Sequence, residues 1–342
     1  CIRDRRKPDP LISKLDGVPV VHLHQTGKYS IKAVQNLKAY IQEHSIASLV
    51  TINLYPLLYA MPAKQSLSGQ SAKILASVNT SELLSNKDRL AMTIYSRLLA
   101  RSSEVIFGSE RQRSDWVSQY RLDPGRCSVI YNGVDGDYFD PEKIGEEASI
   151  DRTALGIPDD AVVIACVGKL RPEKGHLNLL KAMRQLQMKF GINPILLVVG
   201  DGGERASIEN TADELGLTDN VRMIGNVDDV RPYLGLADVF ALPSIAVETF
   251  SNAALEAAAM GLPVVISDVG GSAEMFEGQS AARIFPRDDV RALTAALADI
   301  IEHKVADTTV RKSVRGDVLD RFSLQRMDEQ WVTSIWGGRA GS

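Results

Sequence analysis

The sequence predicts an α/β protein with two parallel sheets, each covered by helices on both faces. Three observations carry this. Short apolar runs alternate with stretches of helical periodicity along most of the chain. The alternation is interrupted once, by a polar and acidic stretch that ends near residue 152. The length, 342 residues, suits two domains.

In chain order, residues 18–24 read as a strand, and Ile31, Val34, Leu37 and Ile41 recur at helical spacing. Residues 47–54, 72–78 and 104–108 read as further strands. Residues 86–102 place Lys87, Arg89, Arg97 and Arg101 among Leu90, Ile94, Leu98 and Leu99, a basic amphipathic helix. Such a helix either packs in a domain with a basic outer face or lies on anionic lipid, and the first account is favoured. Ser109-Glu110-Arg111-Gln112 reads as a capping box opening a helix. Residues 129–131 end the first series, and Asn132-Gly133-Val134-Asp135 turns into the linker. A second alternating series runs from Val162 to about Phe285, followed by helices from about Val290 to Trp336.

Hydrophobic content of 44% and charge of 24% are ordinary for a globular protein. No apolar run approaches the ~20 residues that span a bilayer. Three cysteines show no metal-like or disulfide-like spacing, which suits a reducing cytoplasm, and Cys166 inside an apolar strand reads as a core residue. The net charge of −4 hides an asymmetry: residues 1–133 hold 18 Lys and Arg against 10 Asp and Glu, the remainder 21 against 33. A basic N-terminal half suits an anionic partner such as a membrane surface, though solvated surface charge gives the same count. Nucleic acid is not expected: there is no zinc spacing or RNA-binding aromatic motif, and the balance is acidic.

The most informative stretch is 243–265. An apolar strand ends in Pro243-Ser244, Ser251-Asn252 opens an Ala-rich helix, and Gly261 and Pro263 close it. A helix start at the carboxyl end of a parallel strand is a seat for phosphate. Glu248 lies just before the seat and Glu256 about one turn inside, on the side of Asn252. Two acids flanking an anion site suit a nucleotide sugar, with a hydroxylated group on each side of its phosphates.

Glu248 and Glu256 stand in the spacing of the E-x7-E signature, and the stretch resembles glycosyltransferase family 4, retaining enzymes of GT-B fold. Gly168-Lys169-Leu170-Arg171-Pro172-Glu173-Lys174-Gly175 resembles the family's G-R-x-x-x-x-K-G, with Lys169 at the Arg position and Lys174 at the Lys position. Val198-Val199-Gly200-Asp201-Gly202-Gly203 and Gly270-Gly271-Ser272-Ala273-Glu274 follow in the family's order. A dinucleotide-dependent dehydrogenase fits poorly, because Arg205 stands where its fingerprint wants a third glycine.

The resemblance implies two Rossmann-like domains facing a cleft: residues 1–140 on the acceptor side, 151–322 holding the nucleotide sugar, and a helix at 323–337 crossing back to the first domain. It implies transfer of a sugar from a UDP- or GDP-sugar to a hydroxyl of a glycan or lipid-linked saccharide, as in cell-envelope polysaccharide biosynthesis. The alternative is a nucleotide-sugar-binding subunit without its own turnover. No cofactor or metal is expected, since no Asp-x-Asp pair stands in a donor context and two lysines supply the charge. Lys169 and Lys174 should stabilise the departing diphosphate, and Glu248 should touch the donor sugar. Glu256 should bind the ribose hydroxyls, with Gly168, Gly200 and the backbone of Phe250, Ser251 and Asn252 lining the donor site. In the N-terminal half, Asn79 stands where the family commonly carries a His under the sugar. His24 and Gly27-Lys28 are weaker candidates for the cleft and an anionic acceptor. Family members begin with a strand, a Gly-rich loop and a helix, and none is visible before Val18, so the N-terminus is expected to be truncated. The expected location is cytoplasmic, with peripheral contact at the inner face of the membrane.

Overall fold

The computed structural model describes residues 2–3, 19–23, 29–67, 73–79, 86–145, 150–303 and 307–337. Cys1, His24 and Gly27-Lys28 lie outside them. The chain divides into two compact units. One holds the chain up to Gly108, Arg113–Val129 and the described residues from Val332 on; the other holds Ser109–Gln112 and Ile130–Trp331. The division falls after Val129, earlier than residue 140, where the sequence expectation ended its first domain.

In the first unit β1 (Ile2–Arg3) pairs in parallel with β2 (Val21–His22). Four further strands, β3 (Ser48–Ile52), β4 (Lys73–Val78), β5 (Glu104–Phe107) and β6 (Cys127–Val129), form a parallel sheet in sequence order. The helices α1 (Ile31–Glu43), α2 (Leu57–Ala63), α3 (Asn86–Leu99) and α4 (Glu110–Tyr120) connect or follow them. The helical periodicity read at Val34, Leu37 and Ile41 is the buried stripe of α1, capped by Ser30 Oγ accepting from Ala33 N–H. At the predicted capping box, Ser109 Oγ accepts from Gln112 N–H at 3.2 Å.

The second unit holds β7 (Val163–Val167), β8 (Ile195–Val199), β9 (Val221–Gly225), β10 (Val239–Leu242), β11 (Val264–Ser267) and β12 (Ala282–Phe285). Their order across the sheet is β12-β11-β10-β7-β8-β9, all pairs parallel. This is the doubly wound Rossmann order. The chain starts in the middle, winds one way to β9, then returns to the other side of β7. Alternate residues face opposite sides, so Val163, Ala165, Phe240 and Leu242 enter one core and Ile164, Cys166, Val239 and Ala241 the other. The first core is closed by α8 (Asn252–Ala259) and α10 (Thr308–Phe322), the second by α5 (His176–Phe190), α6 (Arg205–Glu214) and α9 (Val290–His303). The short α7 (Arg231–Leu236) precedes β10. The last helix, α11 (Leu324–Trp336), starts in the second unit and ends in the first, where Ser334 Oγ donates to Glu104 Oε1 at 3.2 Å.

The linker is tied to the second unit. Tyr131 packs on Phe250 and Phe322, with ring centroids 5.0 and 5.3 Å away, and Val134 N–H donates to the Phe322 carbonyl at 2.9 Å.

Candidate active site of the second unit

The winding reverses between β7 and β10, so the loops leaving these two neighbours splay apart at their carboxyl ends and open a crevice. Both loops are the ones singled out in the sequence.

The loop after β7 is pinned through its backbone. Gly168 N–H donates to the Val199 carbonyl at 2.9 Å and Leu170 N–H to the Asp201 carbonyl at 3.1 Å. A Cβ on Gly200 would fall 2.0 Å from the Gly168 carbonyl oxygen, so only glycine lets the two loops close up. Lys169 stands between the two pinned residues, exposed, with no ion pair or hydrogen bond among the described residues. A cation fixed at its root and free at its tip suits an incoming phosphate. If the site holds a diphosphate, as the resemblance implies, Lys169→Ala should weaken nucleoside diphosphate binding about tenfold at low salt, with the difference shrinking at high salt, as calorimetry at two ionic strengths would show.

Lys174, unlike Lys169, is paired. Its Nζ donates to Glu248 Oε1 on the loop after β10. Ser244 Oγ donates to the same oxygen at 2.9 Å. Glu248 is 6% exposed, so the pairing offsets the cost of burying its charge. Its Oε2 carries no hydrogen bond among the described residues. The two loops are also joined through backbone, with Ile245 N–H donating to the Glu173 carbonyl at 2.8 Å. Between Ser244 and Glu248 the chain passes through Val247 at φ +55°, a left-handed conformation that a β-branched residue adopts only under constraint.

The helix α8 starts as expected. Ser251 is its cap, with φ −82°, and its Oγ accepts from Ala254 N–H at 3.3 Å. The N–H groups of Asn252 and Ala253 have no acceptor among the described residues, and the helix dipole adds a positive field there. The Asn252 side chain accepts from Asn132 Nδ2 at 2.8 Å, and the Phe250 ring is buried against Tyr131 and Phe322. For Phe250 only the backbone is left to a ligand, whereas exposed Asn252 also keeps its side-chain Nδ2 donors. One turn on, Glu256 is half-buried and makes no side-chain hydrogen bond or ion pair among the described residues. Burial alone pushes its carboxyl up to about 7.

Gly168, Lys169, Lys174, Gly200, Glu248, Phe250, Ser251, Asn252 and Glu256 therefore share the carboxyl edge of one sheet and the helix start beside it. Asn79 belongs to the first unit, at the end of β4, where its side-chain oxygen accepts from Ser77 Oγ at 3.0 Å. Three features escaped the sequence reading: the Ser244 hydroxyl, the Val247 conformation and His176. His176 opens α5 directly after Lys174-Gly175 and is buried, with neither ring nitrogen hydrogen-bonded. Burial, then the Lys174 charge, lowers its pKa to about 4, so it stays neutral. Only its adjacency to Lys174 marked it in the sequence.

Among the described residues no group of three or more His, Cys, Asp and Glu is placed to hold a metal ion. No helix there is long and apolar enough to cross a membrane.

Comparison with known proteins fits this geometry. The Glycosyltransferase Family 4 model matches residues 3–138, and the Glycosyl transferases group 1 model matches residues 147–315. The chain belongs to glycosyltransferase family 4. An uncharacterized glycosyltransferase of Methanocaldococcus jannaschii is 32% identical over 238 residues, 68% of this chain and 59% of that protein. The UDP-Gal:alpha-D-GlcNAc-diphosphoundecaprenol alpha-1,3-galactosyltransferase of Escherichia coli is 23% identical over 338 residues, 95% of this chain and 86% of that one. Among solved structures, HepE of Anabaena in complex with UDP-glucose superposes with a TM-score of 0.81 at 20% identity, covering 98% of this chain and 91% of its own. That likeness shows the GT-B fold. The chain spans 59%, 50% and 61% of the length of three curated relatives that share 30–33% identity with it.

Proposed function

We propose that this family 4 chain is a retaining glycosyltransferase that moves a sugar from a nucleotide sugar to a hydroxyl of a glycan or lipid-linked saccharide. The observation that carries the reading is the pairing of Lys174 with Glu248 across the β7/β10 crevice, beside the free Lys169 and the open start of α8. Anabaena HepE binds UDP-glucose, and the Escherichia coli relative is named for a UDP-sugar donor and a lipid-diphosphate-linked acceptor. Both make UDP the first donor to test, with GDP as the comparison.

In the proposed pose the diphosphate lies over the first turn of α8, taking the N–H groups of Asn252 and Ala253 and the Lys169 ammonium. The ribose diol donates to Glu256. The sugar lies on the other side, where Glu248 Oε2 accepts from one of its hydroxyls. Transfer breaks the bond from the anomeric carbon to the β-phosphate oxygen and forms the bond to the acceptor oxygen on the same face. The acceptor's proton passes to the departing phosphate oxygen. The work of the site is then electrostatic, and Lys169 and Lys174 supply the positive charge on which the leaving group builds. Asn79 is proposed to hydrogen-bond the sugar or acceptor from the first unit. The free thiols of Cys127 and Cys166 suit a cytoplasmic location.

A thermal-shift panel of nucleotides and nucleotide sugars tests the reading. UDP or GDP at ~100 times its dissociation constant adds ~2.7 kcal/mol of stability. No shift with any nucleotide by the folded chain would remove the donor site.

Glu256 gives a sharper test. The diol stabilises its ionised form, whereas the unliganded carboxyl titrates at about 7. UDP affinity should therefore be highest above pH 7 and fall as pH drops through 7. Glu256→Gln should weaken UDP binding by ~1.5–3 kcal/mol at pH 8, the worth of hydrogen bonds to a charged group. The variant's affinity should keep only the pH dependence of the phosphate itself, whose second pKa is about 6. Identical pH profiles for variant and parent would take Glu256 out of the site.

A further inference from the structure

The turn Asn132-Gly133-Val134-Asp135 takes no part in the proposed donor pose, yet one of its side chains reaches the start of α8. Asn132 Nδ2 donates to Asn252 Oδ1 at 2.8 Å. The root of Asn132 is held on both sides. Before it, the Tyr131 ring packs on Phe250 and Phe322. After it, Val134 N–H donates to the Phe322 carbonyl and the Val134 carbonyl accepts from Leu324 N–H, both at 2.9 Å. Gly133 lies against the α10–α11 junction, where an added Cβ would stand 2.6 Å from Leu324 Cα and 2.8 Å from the Ser323 carbonyl oxygen. All of these residues belong to the second unit. Asn132 is thus presented to α8 from a backbone with little room to shift.

A primary amide has one acceptor end and one donor end. In Asn252 the acceptor end is taken by Asn132, and Nδ2 makes no hydrogen bond among the described residues. Asn252 is exposed and is the first residue of α8, where backbone N–H groups and the helix dipole favour an anion. At such a place the two amide orientations act with opposite sign. The NH2 end adds donors for a phosphate, and the oxygen end repels it. A flip of Asn252 alone would set two NH2 groups face to face, so the hydrogen bond from Asn132 opposes the flip.

We propose that Asn132 is a positioning residue for the donor diphosphate: it holds the Asn252 oxygen, so that Asn252 Nδ2 donates to a phosphate oxygen beside the open start of α8. Asn132 itself does not touch the nucleotide. The inference rests on the proposed donor site and adds to it a side-chain ligand whose orientation depends on the linker.

The test is a double-mutant cycle on the full chain. Calorimetry follows UDP or GDP, whichever the parent binds more tightly, and NMR titration follows the matching nucleoside. Asn252→Ala should weaken the diphosphate about tenfold, the low end for a hydrogen bond to a charged group. Asn132→Ala should weaken it about fivefold, because the freed amide is reversed part of the time. The double variant should bind no worse than Asn252→Ala, since Asn132 acts only through that amide. The nucleoside has no phosphate and should bind all four proteins alike, whereas a merely structural tie between linker and helix would weaken both ligands. Losses that multiply to about fiftyfold in the double variant would overturn the inference, as would parental affinity in Asn132→Ala. An equal loss of nucleoside and diphosphate would also overturn it. No binding of either diphosphate by the folded parent would instead remove the donor site, and this inference with it. Asn132 is half-buried and Asn252 exposed, so neither truncation should unfold the chain, and urea unfolding of each variant checks this.

Discussion

Glu248→Gln is expected to lower sugar transfer by about 10²–10³-fold while leaving UDP affinity within about threefold of the parent, or tighter. The rate effect corresponds to ~2.7–4 kcal/mol of lost charge stabilisation in a water-poor site. The two halves of the prediction come from the two oxygens of one carboxylate. Oε1 holds Lys174 and the Ser244 hydroxyl, and in the proposed pose Oε2 meets the sugar. As the bond to phosphate breaks, positive charge grows on the sugar, and a carboxylate beside it matters more in the transition state than in the ground state. In that pose nucleotide alone does not reach it. In the unliganded protein, moreover, Glu248 competes with phosphate for Lys174, and the amide releases that lysine. Transfer assays and calorimetry with bare UDP read the two halves separately. A loss of UDP affinity as large as that of Glu256→Gln would mean the donor lies the other way along the helix start. Unchanged transfer would favour a binding subunit without turnover, because a sugar-facing acid with no kinetic consequence belongs to a site that does no chemistry.

Gly175→Ala is expected to cost ~2–5 kcal/mol of stability. Gly175 has φ +69°, and an added Cβ would lie 2.0 Å from the Pro243 carbonyl oxygen. The left-handed backbone contributes ~1–2 kcal/mol and the collision with backbone a further ~1–3. Gly191 is the control: its φ is +67°, but nothing stands within 4 Å of the same added atom. Gly191→Ala should show the backbone cost alone. Urea unfolding of both variants, with unchanged m-values, gives the difference. Equal losses would mean that the Lys174 and Pro243 loops do not bear on each other. Gly175 adjoins Lys174 and lies against the loop that carries Glu248, so Gly175→Ala should lose transfer activity beyond what its stability explains, and Gly191→Ala should not.

Much of the second unit was legible in the sequence. Its strands are continuous apolar runs because both faces are covered, and its site loops are marked by Gly168, Gly175, Pro243 and Ser251, residue types with narrow backbone roles. The start of α8 at Ser251-Asn252 needed only the capping preference of serine. The side-chain pairing was not legible. Nothing in the order of residues says that Lys174 spends its charge on Glu248, 74 positions away, while Lys169 stays free. Nor does a sequence show that Glu256 lacks a partner, since that depends on what packs around it. What the linker packs on was not legible either. Polar Asn132-Gly133-Val134-Asp135 reads as a turn between domains, and the structure ties it to Phe322 through Tyr131 just before it and Val134 within it. In the first unit the short β1 and β2 gave weaker signals, and the strand read at 129–131 is in fact Cys127–Val129, shifted because the turn at Pro124–Arg126 ends sooner than the apolar pattern suggests.

The unpartnered Glu256 has a calorimetric consequence. Near neutral pH a sizeable share of unliganded molecules carries a proton on this carboxyl, and a ribose diol that needs the carboxylate displaces it into the buffer. The heat of UDP binding then includes the heat of protonating whatever buffer is present. Titrations in two buffers of different ionisation enthalpy should give different apparent enthalpies at one affinity, and the slope counts the fraction of a proton released. Between pH 6 and 8 the site would behave as a small acid that gives up, for each nucleotide it takes up, a fraction of a proton that shrinks as pH rises through about 7.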